Sequence, residues 1–514
     1  MLKKIIILFF STVFVLFSGC GGGGQTPDLS ENVDIEIVTG NGAETGPTAE
    51  PAPETEAVKY NDYSISMDID PDTRDISGTQ RVIYKNRTGG PINRIYFNLY
   101  LNSYRSDSDY LTRLEQDSGG VWNGEPDYGY MRILSARVNN SDADYSVDGT
   151  LLTVNFKEAL PAESDTEIIL TFEAHVPAIN ARTGANGRAL WLGSFFPVLA
   201  VYDDDGWHTG PYYPVGSPFY TNISNYSVKI STPVGYTVAA TGEESSYETG
   251  DRRITTVNAR FVREFALAVS DSYRLETLKT DSGVYINLYY YSDIDSDVFL
   301  EYARRSLQYY GYMLGGYPYS SIDIVETGYY QTGATYPQII FLNMGSSEED
   351  VLLDMSKRIG RQWFYDIIGS NQVKEPWLSN GITEFLTRSR NTFDITADIT
   401  AQMDRLYAET AEWLSGMENG AMTADLGAYK TQADYEAVQI HRACLMVYAL
   451  KLKMGEDKFH DFLNAYCAEH WFTIVTGAKF IKTAEEIYGG DLTEFFEGWM
   501  EGNEMPELIL KQVP

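Results

Sequence analysis

The sequence predicts an α+β protein, with an antiparallel β domain followed by a mostly helical domain that contains a small sheet. The spacing of apolar residues is the main evidence. Apolar residues recur at every second position from about residue 60 to residue 275, and they recur at helical spacing after about residue 295. A length of 514 residues is enough for two sizeable cores. We therefore expect one domain at 59–275 and a second at 276–514.

The first domain is predicted from apolar residues that alternate with polar ones, as they do along strands with one buried face. The clearest alternating positions are Tyr63, Ile65, Met67 and Ile69, and then Ile95, Phe97, Leu99 and Leu101. Further strands are predicted at 226–230 and 265–269. A turn cluster at 86–90, with the sequence NRTGG, separates two of the strands.

The second domain is predicted from a helical repeat that begins near residue 300. Its first helix has one apolar face, formed by Leu300, Ala303, Leu307, Tyr310 and Leu314. Short strands are predicted at 322–325 and 338–343. Residues 350–500 are expected to be mainly helical, with loops at 369–371 and 489–490.

The N-terminal segment is predicted to be a processing signal. Lys3 and Lys4 precede an apolar run at 5–17, and the following FSGC sequence resembles the lipobox of bacterial lipoproteins. We expect a signal peptide at 1–19, a lipid (palmitate) on Cys20 and a flexible acidic tether at 20–58. This predicts a lipid-anchored protein on the extracytoplasmic face of a bacterial cell membrane. An uncleaved membrane anchor is the alternative.

Charge and cysteine content narrow the function classes. The formal net charge of −33 argues against a nucleic-acid partner, because such a surface repels phosphates. Besides Cys20, the chain has only Cys444 and Cys467, both in helical sequence. We expect two buried thiols rather than a disulfide or a cysteine metal motif.

Several segments, taken in order, carry a resemblance to a known family. They are YYPVGSPFY at 212–220, VAATG at 238–242, GGYPY at 315–319, GATYP at 333–337, QWFY at 362–365, EPWLSNG at 375–381 and FFEGWM at 495–500. Together they resemble the membrane alanyl aminopeptidase (aminopeptidase N) family of zinc peptidases, in the gluzincin clan. The resemblance implies an N-terminal β-saddle domain and a thermolysin-like helical domain.

The residues that bind zinc in that family are replaced here. The family carries H-E-x-x-H on a helix, with two zinc-binding histidines and a general-base glutamate, and its third ligand is a glutamate on the next helix. In this chain the first three positions are Lys357, Arg358 and Arg361, and the third-ligand position is Asn380. Lysine and arginine carry only donors and cannot bind zinc, and arginine cannot act as a base.

Two further family positions are also changed. The glutamate that holds the substrate amine corresponds to Thr335, and the tyrosine that stabilises the oxyanion corresponds to Ile440, with Tyr435 as a nearby alternative. Glu384 lies one helical turn after Asn380, at a position that is not a ligand in the family. No histidine pair in the chain has metal-ligand spacing, and His441 is interpreted as structural. The sequence therefore predicts no catalytic residue, no bound metal and no other cofactor.

The three cations at the changed motif have two interpretations. Asp354 is placed to pair with Lys357 and Arg358 along the helix, which would make an ordinary charged face. Alternatively Lys357, Arg358 and Arg361 replace the zinc charge and bind an anion, either a buried internal carboxylate or that of a peptide.

Three functions remain open from the sequence. The first is a non-catalytic pseudopeptidase that binds a peptide or protein partner. The second is an active zinc metallopeptidase, as the family resemblance alone would imply. The third is a structural scaffold of the cell envelope.

Overall fold

The computed structural model describes residues 60–118, 120–329, 333–395 and 398–508. The expected signal peptide at 1–19, including the Cys20 lipobox, and the tether at 20–58 lie outside the described residues. Within the described ranges, no helix has both the length and the apolar character needed to cross a membrane.

The N-terminal part is built from strands, as predicted. In chain order they are β1 (Asn61–Asp70), β2 (Asp75–Lys85), β3 (Ile92–Asn98), β4 (Tyr130–Val138), β5 (Ser141–Asp142), β6 (Tyr145–Asp148), β7 (Leu151–Leu160), β8 (Asp165–His175), β9 (Gly184–Ala185), β10 (Leu190–Gly193), β11 (Val198–Leu199), β12 (Tyr202–Asp203), β13 (Gly206–Trp207), β14 (Ser224–Pro233), β15 (Thr237–Ala240), β16 (Glu243–Thr249), β17 (Arg252–Val262) and β18 (Ala266–Ser270).

These strands form one large sheet and smaller ones around it. The large sheet has eight strands in the order β16-β17-β14-β1-β2-β8-β4-β5, and its pairs are antiparallel except for β1 with β14. Two four-stranded sheets follow the orders β15-β18-β10-β9 and β11-β3-β7-β6, and β12 pairs with β13 as a hairpin. The predicted alternation in β1 is confirmed, since Tyr63, Ile65, Met67 and Ile69 are all buried.

The alternation predicted after β3 is wrong beyond Asn98. Leu99 is followed by a 3₁₀ helix at Tyr100–Tyr104, so Leu101 does not lie on a strand. Leu99 and Leu101 are nevertheless both buried, because a tight helical turn can place residues two apart in the same core. Helix α1 (Asp109–Ser118) follows in this domain and was not predicted.

The C-terminal part is mostly helical and contains one mixed sheet. Its strands are β19 (Arg274–Lys279), β20 (Tyr285–Tyr290), β21 (Ser321–Glu326), β22 (Gly333–Tyr336) and β23 (Ile339–Leu342), in the order β19-β20-β21-β23-β22. The strands predicted at 322–325 and 338–343 correspond to β21 and β23. The expected domain boundary at 275/276 falls inside β19, which pairs with β20.

The helices of this part all come after β20 in the chain. They are α2 (Ser296–Leu314), α3 (Glu348–Arg361), α4 (Trp377–Ile395), α5 (Ile399–Ser415), α6 (Gln432–Glu436), α7 (Ala443–Met454), α8 (Glu456–His470), α9 (Gly477–Tyr488) and α10 (Thr493–Met500). A 3₁₀ turn lies at Leu426–Ala428, and a π-helical turn at Ala437–Arg442 joins α6 to α7. Cys444 and Cys467 are buried free thiols, as predicted.

Arg263 connects the β domain to the helical region. Its side chain is almost fully buried and donates hydrogen bonds to the backbone carbonyls of Thr221, Ile367 and Thr473. The first carbonyl belongs to the β domain and the other two to the helical region. Gly369 leaves the space for this guanidinium, because a Cβ there would overlap the Arg263 Cζ atom.

We expect Gly369→Ala to destabilise the protein, because the new methyl group would displace the Arg263 guanidinium from its carbonyl partners. Losing these buried hydrogen bonds should cost about 2–4 kcal/mol of the free energy of unfolding, measured in urea. Gly311→Ala is the matched control. Gly311 lies inside α2, and a Cβ there would meet no described atom within 4 Å beyond the backbone of its own helix. It should stabilise by about 0.5–1 kcal/mol. Equal effects of the two substitutions would contradict this assignment of Arg263.

Candidate functional site

Helix α3 carries the replaced zinc motif, and its sequence explains where it begins and which face it buries. Ser347 caps the helix by accepting a hydrogen bond from the Asp350 backbone N–H at 3.2 Å, and acidic residues fill the first turn. Met355 and Ile359 are buried on its apolar side. The opposite face carries three cations, Lys357, Arg358 and Arg361, toward α4 and β22.

Arg361 and Asn380 are in direct contact. An Arg361 Nη1–H donates to the Asn380 Oδ1 at 2.6 Å, and the Asn380 amide in turn donates to the Tyr435 hydroxyl at 2.8 Å. All three side chains are less than a tenth exposed. Burial lowers the pKa of the Arg361 guanidinium, and the nearby Arg358 adds to this effect. We call this connected set the polar chain.

The residues at the motif do not fit a zinc ion. Protein ligands bind zinc at about 2.0–2.3 Å through a lone pair, and the side chains at 357, 358 and 361 offer only N–H groups. Asn380 has one suitable oxygen, and that oxygen already accepts from Arg361. The positive charge of Lys357 and Arg361 would also repel a divalent cation.

Lys357 pairs with Glu384 rather than with Asp354. Its Nζ lies 2.6 Å from the Glu384 Oε2, and the Arg388 Nη2 lies 2.8 Å from the other oxygen. Burial alone would raise the pKa of Glu384, but the two cations outweigh it and hold that pKa well below its usual range. The buried internal carboxylate considered for these cations is therefore Glu384, a residue that the sequence interpretation set aside. We call Lys357, Glu384 and Arg388 the ion triad.

Arg358 forms the pair with Asp354 that the helical spacing predicts. The Arg358 Nε lies 2.9 Å from the Asp354 Oδ2, one turn earlier on α3. This pair packs against β22, where a Cβ at Gly333 would lie 2.8 Å from that carboxylate oxygen and 2.9 Å from the Arg358 Nε. Each cation of the motif thus has a partner inside the protein.

The remaining predicted positions lie on two different elements. Thr335 is buried in β22, and its hydroxyl has no hydrogen-bond partner within the described part of the chain. Ile440 lies in the π-helical turn and packs against the helical core. Tyr435, the nearby alternative, belongs to the polar chain through its hydroxyl.

His441 lies beside the ion triad, in the π-helical turn. Burial lowers the pKa of its imidazole to about 4, although the Glu384 carboxylate opposes this shift. The ring is therefore neutral at physiological pH.

Gln362 fixes the motif helix against the adjacent strands. Its side-chain oxygen accepts from the Tyr317 hydroxyl at 3.0 Å and from the Gln338 N–H at 2.8 Å, and its amide donates to the Tyr336 carbonyl at 2.9 Å. The side chain is fully buried. These contacts hold the end of α3 against β22 and the turn that follows it.

Two buried acids lie next to the polar chain and were not predicted as site residues. Glu264 accepts a hydrogen bond from the Tyr365 hydroxyl, while neither oxygen of the fully buried Asp366 has a hydrogen-bond partner among the residues described. Burial raises the pKa of Glu264 to about 7. Burial and the neighbouring Glu264 raise the pKa of Asp366 well above its usual range, against Arg361 and Arg263.

We expect Glu264 to make the protein less stable as pH rises from about 4.5 to 7. The folded state holds a proton on Glu264 up to about pH 7, whereas the unfolded chain releases it near pH 4.5, so folding binds a proton in this window. The full effect should be about 3 kcal/mol in the free energy of unfolding.

Glu264→Gln should remove this part of the pH dependence while keeping an acceptor for Tyr365. Urea unfolding between pH 4.5 and 8 measures it, with Glu412→Gln, at an exposed position on α5, as the control. The same slope in Glu264→Gln and in the unsubstituted protein would contradict the prediction.

The known proteins that match this chain are solved structures. No protein-family model matches this chain, and neither does any curated protein. The M1 zinc metallopeptidase from Deinococcus radiodurans is similar with a TM-score of 0.65 and 16% identity, over 88% of this chain and 96% of that one. A point mutant of that enzyme gives a TM-score of 0.66 at the same identity and coverage.

The same mutant bound to a Tyr-Ser-Ala substrate gives a TM-score of 0.64, at 16% identity over 88% of this chain and 96% of that one. At this identity the likeness shows the fold and leaves the chemistry open. It agrees with the resemblance drawn from the segments at 212–220, 333–337, 362–365 and 375–381. The chain thus has the mixed sheet-and-helix fold of the M1 zinc metallopeptidases.

Proposed function

We propose that this protein is a non-catalytic relative of the zinc peptidases that binds a peptide or protein partner. The observation that carries the proposal is the hydrogen bond between Arg361 and Asn380, which joins two family zinc-ligand positions directly. A metal ion between them would have to displace this buried bond and then accept two positively charged neighbours. The general-base position is occupied by Arg358, which is paired with Asp354, so no carboxylate lies there.

Hydrolysis of aminoacyl amides tests the catalytic part of this proposal. We expect the purified protein with added zinc to show no more turnover than Arg361→Ala prepared in parallel. Activity that both preparations share would come from a contaminating peptidase or from another site. Hydrolysis by the unsubstituted protein that a chelator abolishes and zinc restores would contradict the proposal. That result would favour the active metallopeptidase.

The cations at the old metal position offer little free charge to a ligand. Arg361 is buried, and Lys357 and Arg388 have side chains 29% exposed but already share Glu384. A partner is therefore expected to bind without an ion pair to these residues. Acidic peptides should not be preferred over neutral ones of the same length.

A peptide-library capture tests partner binding against a scaffold role. We expect enrichment of particular sequences, with Arg358→Ala and Arg361→Ala together leaving the preference for charge unchanged. A loss of acidic-peptide binding in that variant would instead assign the cations to the ligand. The envelope scaffold remains a further alternative, and the burial of Arg361, Asn380 and Tyr435 favours it. No enrichment of any peptide would favour it.

The proposed location is the extracytoplasmic face of a bacterial membrane, through a lipid on Cys20. This rests on the lipobox-like FSGC sequence and on the acidic tether that follows it. Cys20→Ser should abolish labelling by radioactive palmitate and release the protein from the membrane fraction. Unchanged membrane association with no label would indicate an uncleaved anchor.

A further inference from the structure

A short hairpin in the β domain brings together three side chains that can bind metal. Asp203 ends β12, Asp205 lies in the turn, and His208 follows β13. One carboxylate oxygen or ring nitrogen from each lies within 4.8 Å of the others. We call these residues the hairpin triad. They are distinct from the residues at the replaced zinc motif.

The hairpin triad is held in place by neighbouring groups. Asp203 accepts through Oδ1 from the Asp205 backbone N–H at 3.0 Å and through Oδ2 from the Tyr220 hydroxyl at 3.1 Å. The His208 backbone N–H bonds the Val201 carbonyl at 2.9 Å, and its ring meets the Tyr220 ring edge-on at 4.8 Å. Such outer partners orient metal ligands before an ion arrives.

The imidazole of His208 faces the carboxylate of Asp203. Its Nε2 is shielded from solvent and makes no hydrogen bond with any described residue, although it lies 2.7 Å from the Asp203 Oδ2. A nitrogen lone pair and a carboxylate oxygen that face each other at this distance need a proton or a cation between them. A proton on Nε2 satisfies this pair when no metal is bound, and a metal ion can take its place.

Two members of the hairpin triad, Asp203 and Asp205, also line a cavity. The cavity has a volume of about 390 Å³ and lies between the β domain and the helical region. Its carboxylates are those of Asp203, Asp205, Glu375 and Asp425. The single lysine in its lining, Lys374, places its Nζ 2.7 Å from the Asp205 Oδ2 and so acts as a resident cation. The excess of carboxylates favours a positively charged ligand.

We infer that Asp203, Asp205 and His208 bind a divalent transition-metal ion, such as zinc, at the mouth of this cavity. Two carboxylates and one imidazole suit zinc or manganese, whereas calcium and magnesium prefer oxygen ligands alone. Three protein ligands leave at least one coordination position for water. Lys374 competes with the ion for Asp205.

Calorimetric titration of the full chain with zinc chloride tests this inference. We expect one zinc ion per chain and at least about tenfold weaker binding in His208→Ala, because loss of a ligand should cost no less than loss of an outer partner. Lys374→Met should bind zinc several-fold more tightly, since it removes the competing ammonium. Calcium chloride should bind much more weakly than zinc chloride.

His175→Ala is the matched control. His175 also contacts two aspartates, but its Nδ1 is bonded to Asp75 at 2.8 Å and its Nε2 to Asp127 at 3.2 Å, while Arg74 neutralises Asp127 at 2.7 Å. Its removal should leave zinc affinity unchanged.

The outcomes separate this inference from the proposed function. No zinc binding, or zinc binding unchanged in His208→Ala, would overturn the hairpin site. Zinc that survives His208→Ala and supports chelator-sensitive hydrolysis would overturn the non-catalytic proposal as well. Zinc lost in His208→Ala supports the hairpin site and leaves that proposal intact.

Discussion

Glu384→Ala is expected to lower the free energy of unfolding by about 2–3 kcal/mol, because it leaves two cations facing each other with no anion between them. Lys357 and Arg388 both bond this carboxylate, and its side chain is only 9% exposed. The figure lies below the range for fully buried pairs because both cations keep 29% of their side-chain surface in solvent. Urea unfolding at pH 7 measures it.

A double substitution separates the charge from the packing. Lys357→Met combined with Glu384→Leu removes one cation along with the anion and restores apolar volume between α3 and α4. It should be more stable than Glu384→Ala, as replacement of buried ion pairs by apolar residues often is. Glu384→Ala within about 0.5 kcal/mol of the unsubstituted protein would show that the ion triad does not stabilise the fold.

The ion triad should also make part of the stability depend on pH. Because the folded pKa of Glu384 is depressed, its contribution is fully present above the unfolded value of 4.5. It is lost as pH falls from there through the folded pKa. Its effect therefore lies at lower pH than that of Glu264, and the two can be measured separately.

Arg442→Met is expected to cost about 3–5 kcal/mol, the second large effect. The guanidinium is fully buried and donates four hydrogen bonds to backbone carbonyls, two through Nη1 at 2.6 Å and two through Nη2 at 3.0 Å. The carbonyls belong to Gly420, Gly502, Glu501 and Glu504. Methionine fills similar volume but leaves these acceptors unpaired.

Urea unfolding measures the effect of Arg442→Met, and protease sensitivity after residue 500 gives a local readout. Arg405→Met, at an exposed position on α5, is the control and should change stability by less than about 0.5 kcal/mol. If both variants unfold at the same urea concentration, Arg442 does not fix the segment after α10.

The apolar periodicity was a good guide to the fold because it reflects burial directly. It placed β1, β21 and β23, and it placed the buried face of α2, where Leu300, Ala303 and Leu307 all lie in the core. It was wrong at Leu101, because a 3₁₀ turn buries residues with a spacing that imitates a strand. The helix α1 gave no comparable signal inside the β domain.

The contacts around Lys357, Arg358 and Arg361 were predicted less completely, because they join distant parts of the chain. The pair between Arg358 and Asp354 follows from spacing along one helix. The contact of Lys357 with Glu384 depends on how α3 and α4 pack. Glu264, in the β domain, accepts a hydrogen bond from Tyr365 in the helical region. An i, i+4 pair of Glu384 with Arg388 was the available signal for the ion triad.

The oxyanion position shows a different limit of sequence reasoning. Counting back from the motif that begins at Arg442 selects Ile440, whereas Tyr435 bonds Asn380. Most of the intervening residues belong to the π-helical turn at Ala437–Arg442. Motif spacing alone does not show which side chain contacts Asn380.

Anomalous diffraction at the zinc edge, from crystals grown with zinc, tests the central claim most directly. The non-catalytic account predicts no zinc peak between the side chains at 357, 361 and 380, whether or not zinc binds at the hairpin triad. It also predicts that Arg361 still bonds Asn380. A zinc peak within about 2.3 Å of side-chain atoms at those three positions would contradict the account.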